Sequence, residues 1–200
     1  MRLRNLPARY DHVAVVLHWT IAVLMISAII AGEVMPKTGM RGFLYSSHAS
    51  LGISVLALSI LRLFWRLSQK FPEYPVTIPV WQRIIARSVS IAFYILMIAI
   101  PLTGWLAHSL DAVSRPFFIN SRIFGTIAVP ILPVDHPGIS AFLRSLELNN
   151  IHEFASNLMI GLVILHVGAA LKHQILDRDD VMIRMLPDFR RNKTTAHDAR

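Results

Sequence analysis

Residues 150–174 read NIHEFASNLMIGLVILHVGAALKHQ, an apolar segment of bilayer-spanning length that carries three histidines. A run of this kind leaves little freedom. In lipid the backbone must satisfy its own hydrogen bonds, so the segment has to be a helix. His152 and His166 are fourteen residues apart. At about 100° and 1.5 Å per residue, that is nearly four whole turns and roughly 21 Å along the axis. Their imidazoles therefore point the same way, one near each end of the span. His173 follows two turns later on the same face. Polar groups at membrane depth are costly and usually functional.

Three more runs resemble it. The helices are expected at about 13–31, 45–67, 84–107 and 151–173. Gly32 and Pro36 should break the first. The proline-rich FPEYPVTIP cannot continue the second, and Pro101 with Gly104 should kink or end the third. The chain is 54% hydrophobic and only 16% charged, with mean hydropathy +0.51. A soluble domain carries about a quarter charged residues. The expected fold is an all-α membrane protein, a bundle of four transmembrane helices forming one domain over 1–187. A polar tail, 188–200, is expected to be disordered. His108–Asn149 is expected to be a loosely structured interfacial loop packed on the bundle mouth. The basic start MRLRNLPARYDH resembles a signal peptide. The apolar run after it is too long for one, and GEVMPK is no small-residue cleavage site, so a retained first helix is expected.

The formal charge of +8 comes from basic residues flanking apolar runs, which points to the bilayer as partner and not to nucleic acid. With both termini cytoplasmic, fifteen Lys and Arg lie inside and five outside: Lys37, Arg41, Arg115, Arg122 and Arg144. That bias predicts an N-in, C-in protein of a bacterial inner membrane. The chain has no cysteine. Disulfides, iron–sulfur clusters, thiolate haem ligation and a CxxCH attachment site are therefore excluded.

Depth pairs the histidines. His18 and His166 lie toward the cytoplasmic ends of helices one and four. His48 and His152 lie at the outer starts of helices two and four. Two His–His pairs at two heights suit two bis-histidine haem b groups, because two imidazoles close the iron for outer-sphere electron transfer. Gly52 and Gly168 would give a flat macrocycle backbone clearance, although small residues also mediate ordinary helix packing. Trp19 reads as an interface anchor or a core aromatic and not as a redox group. His12 reads as a surface group, and His108, His136 and His197 read as loop or tail residues. Glu153 reads as an exposed acid at a helix start. His173 is either an interfacial histidine or a group that binds or protonates a quinone near the inner haem. Zinc would want three or four clustered ligands, which separated pairs do not offer. A transporter should show repeats and a midplane site, and neither is evident.

At LHW (17–19), SSHASLGIS (46–54), RLFWRL (62–67), YILMIAIPLTGW (94–105) and HEFASNLMIGLVILHVGAALKH (152–173), the chain resembles the bacterial cytochrome b561 family. The resemblance runs from RYDHVAVVLHW to about Pro187. It is strongest to the stand-alone di-haem type that oxidises superoxide and reduces ubiquinone. It implies haem ligation by His18, His48, His152 and His166, and it matches His173 to a histidine following the inner ligand. Many relatives carry a histidine where this chain has Ser90, so any role of that group is absent here. The implied activity is electron transfer from periplasmic superoxide to membrane ubiquinone, with the outer cations attracting the anion. The competing expectation is an electron-transfer or anchor subunit of a respiratory complex, or an acceptor from a periplasmic redox partner.

Overall fold

A computed structural model describes residues 10–37, 41–69, 79–114, 122–177 and 182–185. The tail 188–200, His197, Arg115 and most of FPEYPVTIP lie outside these residues, as does the side chain of Arg41. Five α-helices occur among them: α1 (His12–Val34), α2 (Arg41–Ser68), α3 (Val80–Ser114), α4 (Pro137–Ser145) and α5 (Leu148–Lys172). Helices α1, α2, α3 and α5 are each long and apolar enough to cross a membrane.

Asp11 starts α1. Its carboxylate accepts the Ala14 N–H at 3.0 Å, and the Trp65 indole donates to the same oxygen at 3.0 Å. One side chain thus caps α1 and ties it to the far end of α2. Along α1, Val16, Val23 and Ile30 are exposed while Leu17 and Ile21 are buried. Large apolar side chains on an outer face are what lipid tails cover.

The helix ends differ from expectation. α1 runs through Gly32 to Val34 and passes into a 3-10 turn at Met35–Lys37. α3 continues through Pro101 and Gly104 to Ser114. Membrane helices tolerate such residues because neighbouring groups satisfy the freed backbone. Its 35 residues span about 50 Å, more than the hydrocarbon core of about 30 Å. His108 is therefore not a loop residue. It lies in α3 and is buried.

The close helix pairs are α1 with α2, α2 with α3, and α3 with α5. Among the described residues α5 makes no comparable backbone contact with α1 or α2. All four long helices contribute to one apolar cluster: Ile21, Val55, Leu96, Met97 and Met159. A second cluster joins Ala107 and Leu110 of α3 to Val134 and Leu148.

The connection between α3 and α5 is more ordered than its prolines suggested. Strands β1 (Arg122–Ile123) and β2 (Ile127–Ala128) form an antiparallel hairpin, with Arg122 opposite Ala128. Its turn uses positive φ at Phe124 and at Gly125, where glycine is the least strained choice. Then comes α4, with His136 accepting the Gly138 N–H and Pro137 in the first turn. The segment does pack on the bundle mouth. Ser46 and Ser50 of α2 donate to the Arg122 carbonyl, and the Phe124 N–H donates to Ser50. The Trp105 indole donates to the Pro130 carbonyl at 2.7 Å.

Candidate redox centre

The structure brings the four depth-paired histidines together by twos. The rings of His48 (α2) and His152 (α5) lie 5.9 Å apart, centroid to centroid, at 77°. Those of His18 (α1) and His166 (α5) lie 6.3 Å apart at 68°. On each helix the shared apolar cluster falls between the two levels: Ile21 follows His18, Val55 follows His48, and Met159 lies midway from His152 to His166.

At one level both rings are tethered. His48 Nδ1 lies 2.8 Å from the Ala28 carbonyl, and His152 Nδ1 lies 2.9 Å from the Ile100 carbonyl. A carbonyl only accepts, so each Nδ1 carries the proton and each Nε2 keeps its lone pair for a metal. Thr103 Oγ1 stands a further 3.4 Å from His152 Nδ1. The glycines expected to break helices have another use here. A Cβ on Gly32 would come 3.2 Å from His48 Cε1, and one on Gly104 would come 3.0 Å from His152 Cε1. At Gly52 and Gly168 an added Cβ would meet nothing within 4 Å.

At the other level His18 Nδ1 is buried and has no hydrogen-bond partner among the described residues. His18 stacks edge-on against Trp19 at 5.5 Å, and His166 does so against Phe93 at 5.3 Å. Arg62 of α2 follows His48 by fourteen residues on the same face of that helix. Its guanidinium carbon lies 5.9 Å over the Tyr94 ring, with that of Arg66 at 5.5 Å. Trp19 is more than an interface anchor, because its indole donates to the Met185 carbonyl at 2.8 Å and holds the chain beyond α5 against α1.

His173 stands where α5 changes register. A π-helical turn occupies His173–Asp177, and His173 Nδ1 lies 3.1 Å from Asp177 Oδ2, which also accepts from Lys172. Asp177 was missed from the sequence, although the His–Asp spacing of four was there to be read. Ser90 donates to the Ala86 carbonyl of its own helix at 2.8 Å. Glu153 is exposed. Among the described residues no three His, Asp or Glu side chains converge as a metal site.

Each pair fits a bis-histidine haem iron. The donors are neutral nitrogens on an apolar bundle, as haem b requires.

Four membrane-length helices that bring four imidazoles together by twos define a helical membrane protein. The chain belongs to the prokaryotic cytochrome b561 family, whose model matches residues 9–188. It is a prokaryotic membrane protein of electron transfer, and the family implies b-type haem. It is similar to cytochrome b561 homolog 2 of Escherichia coli strain K12, 27% identical over 190 residues, covering 93% of this chain and 95% of the relative. It is also similar to cytochrome b561 homolog 1 of that organism, 28% identical over 184 residues, covering 90% and 97%.

Proposed function

We propose that His18 with His166, and His48 with His152, hold two haem b groups at two depths, and that the protein passes electrons from superoxide outside to ubiquinone inside. The observation that carries this reading is the pair of ring separations, 6.3 and 5.9 Å, at opposite ends of one apolar cluster. Haem b supplies a one-electron couple when bound. The chain does the rest. It fixes the imidazoles, keeps water out between the levels, and presents charge at each face.

Both termini are cytoplasmic in this reading, which makes the His48–His152 level the outer one. Among the outer cations, Lys37 forms an exposed pair with Glu33 at 3.8 Å. Arg122 and Arg144 donate to the carbonyls of Thr126 and Leu110. Cations near the entry side would raise the local concentration of a small anion.

On the cytoplasmic side, His173 is the proposed quinone and proton group. Asp177 beside it orients the ring and can pass a proton from the aqueous side. The balance is simple. Two superoxide anions lose one electron each and leave as two O2, while one quinone takes both electrons and two protons to become quinol.

The test is a dithionite-reduced minus oxidised spectrum with haem counted per chain, followed by quinone reduction under a superoxide source. Two b-type haems per chain and superoxide-dependent quinol formation are expected. One haem or none would sink the ligand assignment. Two haems with no response to superoxide, together with a co-purifying redox partner, would move the protein to the electron-transfer subunits.

A further inference from the structure

The two histidine pairs share a ring spacing but not a surrounding. His48 and His152 each donate Nδ1–H to a helix carbonyl, and that carbonyl lies four residues before a glycine: Ala28 before Gly32, and Ile100 before Gly104. A helical side chain covers the turn on the N-terminal side of its own Cα. Glycine at that position uncovers the carbonyl and leaves room for the incoming imidazole, and at Ile100 the Thr103 hydroxyl donates to the same oxygen at 2.8 Å. One device is built twice, on α1 and on α3. His18 has nothing equivalent, because its buried Nδ1 has no hydrogen-bond partner among the described residues. That level has instead the half-buried Arg62, fourteen residues after His48 on the same face of α2, with its guanidinium carbon 5.9 Å over the ring of Tyr94, the neighbour of the Phe93 that stacks on His166.

We infer that Gly32 and Gly104 hold the outer site at a lower potential and that Arg62 holds the inner site at a higher one, so that the chain itself sets the direction of electron flow inward. The inference rests on the proposed haem ligands. An imidazole that donates Nδ1–H to a carbonyl is a more basic ligand at Nε2 and favours the oxidised metal. A nearby cation in a poorly screened interior favours the form with one more electron. The two effects act at different levels and point the same way. One electron lost at the outer level is gained at the inner level, with no bond made or broken.

A redox titration of the purified protein, followed in the haem absorption bands, tests this. The unaltered protein should give two waves. Gly104→Ala crowds the His152 ring and should raise only the lower wave, by about 59 mV if the one-electron equilibrium shifts tenfold. Gly32→Ala, with its looser contact, should raise the same wave by less. Arg62→Gln should lower only the upper wave, and Arg62→Lys should restore it. A purely structural role would change haem content without this selectivity. A single wave in the unaltered protein would overturn the inference. So would Gly104→Ala and Arg62→Gln moving the same wave, or neither moving one while both haems stay bound. If Gly104→Ala loses haem, Gly32→Ala decides. One haem or none in the unaltered protein removes the ligand reading as well, whereas two haems with unmoved waves remove the inference alone.

Discussion

Tyr45 and His108 join α2 to α3, with the phenol oxygen 3.1 Å from the imidazole Nδ1. Tyr45 precedes His48 by about one helical turn, and His108 follows Gly104 by about one turn. The contact therefore lies one turn beyond the His48–His152 level, at the end of the bundle that the hairpin covers. His108 is only 6% exposed. Tyr45→Phe should leave its Nδ1 unpaired and cost about 1–3 kcal/mol. Thermal unfolding in detergent reads this as a lower midpoint with haem content retained. An unchanged midpoint would show that water replaces the phenol.

Single ligand variants should separate the two levels. His18→Ala and His166→Ala are each expected to leave one haem per chain with the same remaining spectrum. His48→Ala and His152→Ala should leave the other. Haem counting by pyridine haemochrome, with the band position of what remains, checks this. A variant that loses both haems while staying folded would show that the levels are not independent.

His173→Ala and Asp177→Asn are expected to lower quinone reduction at least tenfold with both haems present and reducible by dithionite. His173 pairs with Asp177 and is not one of the proposed haem ligands, so haem content should not follow it. Unchanged quinol formation would exclude this turn from the mechanism.

Asp11 offers a pH test of stability. Burial opposes its ionisation, but the Ala14 N–H and then the Trp65 indole outweigh that and hold the carboxyl below the usual carboxylate range. Its stabilising contribution is therefore present above pH 3.8, the ordinary value, and is lost as pH falls through the lower folded value. Asp11→Ala removes a helix cap and should cost about 1 kcal/mol at neutral pH. Below that window the variant and the parent should converge. A gap in unfolding midpoints that persists at low pH would mean that the cap acts through packing rather than charge.

The membrane helices and the facing of the four histidines could be read from the sequence, because apolar run length and the helical repeat are strong signals that tertiary packing does not overturn. Gly32 and Gly104 could not. In a single sequence a glycine near Pro36 or Pro101 looks like a helix break, and only the neighbouring ring reveals that it uncovers a carbonyl. His108 was misplaced for the same reason, since the expected end of α3 at Ala107 put it in a loop. The hairpin escaped notice because each strand has only two residues and an apolar Phe124 occupies a turn position. The ring of His173 was placed by an ideal helix repeat, while a π-helical turn begins at that residue.

The layer of Ile21, Val55, Leu96, Met97 and Met159 has a bearing on energy conservation in the cell. An apolar septum lets an electron tunnel but gives ions no route beside it. With the proposed orientation, charge moving inward is uncompensated, and quinol formation draws its protons from the same side. Each turnover then charges the membrane, negative inside, like a small capacitor. Moving an elementary charge against that voltage takes about 2.3 kcal/mol per 100 mV. An energised membrane should therefore slow the protein, and an uncoupler should speed it.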